Sequence, residues 1–134
     1  MDLAYFPSSL SGSLMSHILV VDHDATVRSV VEQFLQLAGH ETTSVASGAE
    51  ALDSLDASPP DLVVTDLSMP EMPGTELRQR AREVAPDIPF VLMSGFAVDP
   101  ILEEIFDACV PKPLSFDKLN HAVDELTSNR QTPA

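Results

Sequence analysis

Basic residues are what this chain has least of. Seven Lys and Arg stand against 21 Asp and Glu, a formal charge of −14. Binding nucleic acid needs a basic stripe to neutralise phosphates, and no such stripe exists, so that class of function is set aside. The single cysteine, Cys109, excludes an internal disulfide framework and fits a reducing, cytoplasmic compartment. No apolar run approaches the roughly 18 residues that a membrane span requires, so no contact with a membrane is expected. Residues 1–16 lack a basic opening, carry Asp2, and place Pro7 and several serines where a signal peptide would be apolar, which predicts a loose leader. Internal repeats and low-complexity stretches are also missing. What remains is an ordinary globular composition, 44% hydrophobic, long enough for one domain with a proper core. Its acidity suits a cation-dependent site or a basic partner surface.

The pattern that is present centres on Leu62-Val63-Val64-Thr65-Asp66, an apolar, β-branched run ending in a carboxylate before the Pro/Gly loop Leu67–Gly74. Such a run predicts a buried strand that empties into a loop, with Asp66 at the sheet edge. Ile18–Val21 ends likewise in Asp22-His23-Asp24, Ile88–Met93 in Ser94, and Ala108–Val110 just before Lys112; His40–Val45 is a weaker strand. Between them run helical periodicities. Asp24 caps a helix carrying Val27, Val31 and Leu35, and Ser47 with Glu50 forms a capping box for one carrying Ala51 and Leu55. Thr75–Val84 puts Leu77, Ala81 and Val84 on one face and Arg78, Arg80 and Arg82 off it. Asp99-Pro100 opens a short helix with Ile101, Leu102, Ile105 and Phe106, the least securely packed of the set, and Ser115 caps a last one through Leu119, Val123 and Leu126. Strands alternating with helices through short, right-handed connections predict a doubly wound α/β fold, a five-stranded parallel sheet with five helices of flavodoxin-like form. The domain is expected over 17–128, with 129–134 a disordered tail.

If the strands are parallel neighbours, Asp22, Asp24, Asp66, Ser94 and Lys112 meet at one sheet edge, where α/β folds place ligands. A carboxylate is a useful nucleophile toward phosphorus when a cation neutralises the phosphoryl oxygens and nearby donors fix them. Asp66 is the candidate nucleophile, Asp22 and Asp24 candidate cation holders, Lys112 a fixed positive charge and Ser94 a hydroxyl donor. Singly, each residue type is more often a turn former, a helix cap or a solvated lysine, and Asp24 is well placed to cap the first helix. Convergence from four strand ends is what points to a site.

Ile18-Leu19-Val20-Val21-Asp22, the run from Asp66 to Gly74, Val91-Leu92-Met93-Ser94-Gly95 and Val110-Pro111-Lys112-Pro113 resemble, in order and spacing, the signature blocks of the receiver domains of two-component response regulators, the CheY-like family. The resemblance spans roughly residues 17–127. It implies that Asp66 accepts a phosphoryl group from a sensor histidine kinase or a histidine phosphotransfer protein. It also implies Mg²⁺ held by Asp22, Asp66 and the Ser68 backbone carbonyl, Ser94 turned toward the phosphoryl oxygens, Lys112 paired with the phosphate, and a cis peptide bond before Pro113. The phosphodonor would dock near Val27, Val30 and Pro113-Leu114. Too few residues follow Ser128 for an output module, so signalling is expected through a further, unidentified protein, with the stretch Phe96–Phe106 as the two-state surface; enzymatic activity of its own is not expected.

Two positions depart from the family. His23 stands where a second acidic residue normally meets Mg²⁺, and imidazole is a poor ligand for a hard cation unless Asp24 or a water substitutes. Cys109 stands where a Tyr or Phe normally follows phosphorylation; an inert core cysteine is its plainest role. These departures keep open a degenerate receiver that binds partners without phosphorylation. A third possibility is a haloacid-dehalogenase-type phosphatase, with Asp22-His23-Asp24-Ala25-Thr26 supplying Asp22 as nucleophile and Asp24 as acid/base, but it lacks an acidic pair after Lys112 and leaves Asp66 without a task.

Overall fold

The computed structural model describes residues 16–95 and 99–131. Five strands alternate with five helices: β1 (His17–Val21), α1 (Ala25–Leu37), β2 (Glu41–Val45), α2 (Gly48–Ala57), β3 (Leu62–Asp66), α3 (Gly74–Val84), β4 (Phe90–Ser94), α4 (Pro100–Ile105), β5 (Ala108–Pro111) and α5 (Phe116–Gln131). All pairings are parallel, in the order β2-β1-β3-β4-β5. That is the flavodoxin-like doubly wound order. Every residue of β3 and β4 is buried, as expected of strands covered on both faces. Side chains alternate between two cores. Ile18, Val20, Val64 and Val91 pack against Val31 and Leu35 of α1 and Leu119 and Val123 of α5. Leu19, Val21, Val63 and Leu92 pack against Ala51 and Leu55 of α2 and Leu77 and Ala81 of α3.

The helix boundaries follow local chemistry. Asp24 Oδ1 accepts from the backbone N–H of Thr26 at 2.8 Å and of Val27 at 3.4 Å, and Gly39, at φ 98°, ends the turn after α1 in the left-handed region that glycine tolerates. Ser47 Oγ accepts from Glu50 N, but Glu50 returns its bond to Ala46 N, one residue ahead of the cap's own N–H. Asp99 and Ser115 cap α4 and α5 as expected. β4 starts at Phe90 rather than Ile88, since Pro89 has no N–H to donate, although its carbonyl accepts from Val63 N at 3.0 Å.

Several expectations need correction. Ser16, assigned to the leader, is buried and its carbonyl accepts from Glu41 N, so it belongs to the domain. α5 runs on through Gln131, into the segment read as a tail. Residues 1–15, Phe96 to Val98 of the expected switch stretch, and 132–134 lie outside the described residues. On α3, Val84 is 60% exposed whereas Arg78 is buried. Its guanidinium donates to the carbonyls of Ile88 and Ile105 and to Asp107 Oδ2, each at 3.1 Å, and lies 4.8 Å from the Phe90 ring centroid. Asp107 Oδ2 also accepts from Phe90 N at 2.7 Å. Apolar periodicity misplaces a cation of this kind, because an arginine enters a core once its fork finds enough acceptors. α4 has no buried residue and Ile101 is 64% exposed, while Phe106 is buried just past the helix end. Among the described residues, no helix is long and apolar enough to cross a membrane.

His40, between α1 and β2, is buried with neither ring nitrogen hydrogen-bonded; Nε2 lies 3.8 Å from the exposed Asp124. Burial holds its pKa below the ordinary 6.5, partly opposed by Asp124 and Asp61. As pH falls below 6.5, the unfolded chain takes up a proton here that the folded chain resists, so stability drops until the folded pKa is passed. His40→Leu removes that proton uptake and a polar group without partners. The variant is expected to match or exceed the wild type in urea unfolding at neutral pH and to lose less stability on acidification.

Candidate functional site

β1 and β3 are neighbours at the centre of the sheet, and the pair Val21↔Thr65 sets their register, so Asp22 and Asp66 both stand where the strands end. The pairs Asp66↔Met93 and Ser94↔Pro111 carry the same edge across β4 and β5. Asp22 is fully buried, Ser94 nearly so, and Asp66 is 7% exposed. From beyond β5, Lys112 reaches back. Its Nζ lies 3.1 Å from Asp66 Oδ1 and 3.4 Å from Asp22 Oδ2, while its backbone N–H donates to the Ser94 carbonyl at 2.8 Å. The Lys112-Pro113 bond is cis. Burial lowers the lysine's pKa, but the hydrogen bond to Asp66 and the charges of Asp22 and Asp66 outweigh that and lift it above 10.5, so the ammonium is a permanent cation at neutral pH.

The carboxylates are oriented by backbone. Asp22 Oδ1 accepts from Asp24 N at 2.8 Å. Leu67 N donates to Asp66 Oδ1 at 2.9 Å, so this bond and Lys112 both address one oxygen and neither addresses Oδ2. Asp24 is brought to the edge but its carboxylate is not in the cluster; its Oδ1 caps α1. His23 is brought in. A ligand atom from each of Asp22, His23 and Asp66 lies within 4.8 Å of the others, with His23 Nδ1 3.8 Å from Asp22 Oδ1 and its ring half exposed. Ser68 is exposed in the loop after β3. A groove of about 1200 Å³ between α2 and α3, lined by Asp53, Asp56 and Arg80 among others, contains none of these side chains.

Two residues that support the site were not read from the sequence. Arg28 Nη1 donates to the Asp22 carbonyl at 2.6 Å; in a chain with only seven basic residues, one in the first turn of the helix leaving the site was the available signal. Gly74 donates its N–H to the Leu67 carbonyl at 2.8 Å, and a Cβ there would collide with the Asp66 carbonyl. Between them the loop turns through Glu71 at φ 70° and is pinned by the buried Met69. At the rim, Val30 and Pro113 are exposed, while Val27 and Leu114 are half-buried against the core. Cys109 is half-buried beside the second core, its thiol pushed up by burial and by Glu103.

Comparison with known proteins points one way. The family model described as "Response regulator receiver domain" matches residues 18–124. Response regulator receiver protein CpdR of Brucella abortus (strain 2308) is 39% identical over 116 residues, 84% of this chain and 97% of that protein. Sensor kinase CckA of the same organism is 36% identical over 125 residues, 89% of this chain but 13% of that protein. Among solved structures, response regulator protein TrrA from Thermotoga maritima, in complex with Mg(2+)-BeF, superposes with a TM-score of 0.78 at 30% identity, covering 84% of this chain and 99% of that one.

The contact at Gly74 yields a direct check. Gly74→Ala forces the Asp66 carbonyl or α3 to move and is expected to lower stability by about 1–3 kcal/mol in urea unfolding. Gly95→Ala, whose added Cβ meets nothing within 4 Å among the described residues, is expected to be near neutral.

Proposed function

The chain belongs to the response regulator receiver domain family, and on that premise we propose that it is phosphorylated on Asp66 by a sensor histidine kinase or a histidine phosphotransfer protein. It signals in the cytoplasm through contacts with a further protein rather than by catalysis of its own. The unit that would do so is residues 17–128 together with the buried Ser16. The observation that carries this reading is the Lys112 ammonium set between Asp66 and Asp22.

Asp66 Oδ2, which neither Leu67 N nor Lys112 addresses, attacks the phosphorus of a phosphohistidine. The new O–P bond forms as the P–N bond breaks, and the departing imidazole keeps the electron pair and takes a proton from solvent. Lys112 keeps its proton throughout and pairs with a phosphoryl oxygen. The Ser94 hydroxyl, at the neighbouring strand end, donates to another. An acyl phosphate adds nearly two negative charges beside Asp22, and two unit charges about 4 Å apart at an effective dielectric near 20 repel by roughly 4 kcal/mol. One ammonium does not offset that against two carboxylates. Asp22, Asp66, the Ser68 carbonyl and His23 would hold a divalent cation, while Asp24 Oδ1 caps α1. When bound, such a cation neutralises the phosphoryl oxygens. The Mg(2+)-BeF complex of the relative TrrA supports a cation here, and two buried carboxylates against one lysine fit that need. The exposed Val30 and Pro113, beside half-buried Val27 and Leu114, form the rim on which a phosphodonor would dock. Against the phosphatase alternative stands the cap that Asp24, its acid/base, supplies to α1 through Oδ1.

Incubation with acetyl phosphate and a divalent metal, read by intact mass and peptide mapping, tests the proposal. Wild type is expected to gain one phosphoryl group on Asp66, and Asp66→Asn none. A label on Asp22 would instead support the phosphatase, and no label under any metal would leave a phosphorylation-independent binding module.

A further inference from the structure

The donor set at this edge is not the one that a hard cation prefers, and we infer that the site takes a borderline divalent ion of the Zn²⁺ or Co²⁺ kind, ligated by His23 together with Asp22 and Asp66, in preference to Mg²⁺. This rests on the cation-dependent reading above and specifies the metal.

Mg²⁺ demands oxygen ligands in near-ideal octahedral geometry and dehydrates reluctantly. Imidazole nitrogen suits zinc and its first-row neighbours. The side chains on offer are two carboxylates and one imidazole, and no third carboxylate lies within the cluster among the described residues. Donors that share one ion at bonds of about 2.1 Å lie no more than roughly 4.2 Å apart. His23 Nδ1 and Asp22 Oδ1, at 3.8 Å, already satisfy that limit. One ligand atom from each of the three residues lies within 4.8 Å of the others, about 0.6 Å beyond that limit at most, and the His23 ring is half exposed.

Asp22 also divides its oxygens in a way that leaves room for both charges. Oδ2 faces Lys112 at 3.4 Å, while Oδ1 accepts from Asp24 N at 2.8 Å and lies 3.8 Å from His23 Nδ1, a carboxylate oxygen having a second lone pair to offer an ion. An ion on the His23 side need not displace the ammonium on which phosphoryl transfer depends.

Equilibrium dialysis and calorimetry with Mg²⁺, Zn²⁺ and Co²⁺ on the full chain test this without reference to phosphorylation. His23→Asp supplies the missing carboxylate, His23→Ala removes the nitrogen, and Asp22→Asn ties binding to this edge. His121→Ala controls for the His121–Glu125 pair, one turn apart on the exposed face of α5. The ratio of the Mg²⁺ to the Zn²⁺ dissociation constant is expected to be at least tenfold larger in wild type than in His23→Asp. The visible spectrum of bound Co²⁺ should change on His23→Ala and be unaffected by His121→Ala. An equal ratio in wild type and His23→Asp, or a Co²⁺ spectrum indifferent to His23→Ala, overturns the inference while leaving the receiver reading intact. Failure of any divalent ion to bind wild type overturns the inference together with the cation-dependent phosphorylation on which it rests, and leaves a receiver domain that binds partners without phosphorylation.

Discussion

The structure depends on one ammonium group set between two buried carboxylates. Asp22 and Asp66 end adjacent parallel strands, so the sheet forces like charges together in a place where water screens them poorly. At an effective dielectric near 20, unit charges about 4 Å apart interact by roughly 4 kcal/mol, comparable to a large share of a small domain's net stability. Lys112, from the far side of β4, answers both at 3.1 and 3.4 Å. Its own position is set by its backbone bond to Ser94, so the strand order β1-β3-β4-β5 is a precondition of charge balance as well as of packing. The balance is incomplete, two anions against one cation.

Around this centre the supporting contacts are mostly backbone contacts, and they fix geometry rather than add buried area. Arg28 holds the Asp22 carbonyl, Leu67 N holds the Asp66 carboxylate, and Gly74 lets α3 close against the strand end that carries it. A second polar network at the opposite end of β4 works in the same way. Arg78 binds the carbonyls of Ile88 and Ile105 and the Asp107 carboxylate, and Arg82 also reaches the Ile105 carbonyl. α4, which buries no residue of its own, is therefore held at its C-terminal end by arginines from α3 and by the partly buried Leu102 and Ile105. An element with so little buried surface belongs to the low-stability part of a fold, where switching segments are found.

His23 and Cys109 set this chain's version of the site apart. The histidine puts an imidazole beside the two carboxylates, just past the end of the strand that presents Asp22. The cysteine leaves a small, half-buried side chain on the edge strand β5, against the second core that holds Leu92 and Phe106.

The fold and the identity of the central residues were legible in the chain, because both are written in short-range patterns. β-branched runs of strand length, caps such as Asp24, Asp99 and Ser115, and polar residues at four strand ends each follow from local sterics and hydrogen bonding. Tertiary structure alone decided how those groups share their bonds. Lys112 was one cation between two prolines until the sheet set its ammonium against both Asp66 and Asp22. Arg78 looked solvated until three acceptors from distant segments closed around it, and Gly74 was one more loop glycine until α3 came down on the Asp66 carbonyl. Partners separated by tens of residues leave no periodic trace, so the allocation of each charge and each close approach became visible only once the sheet had assembled.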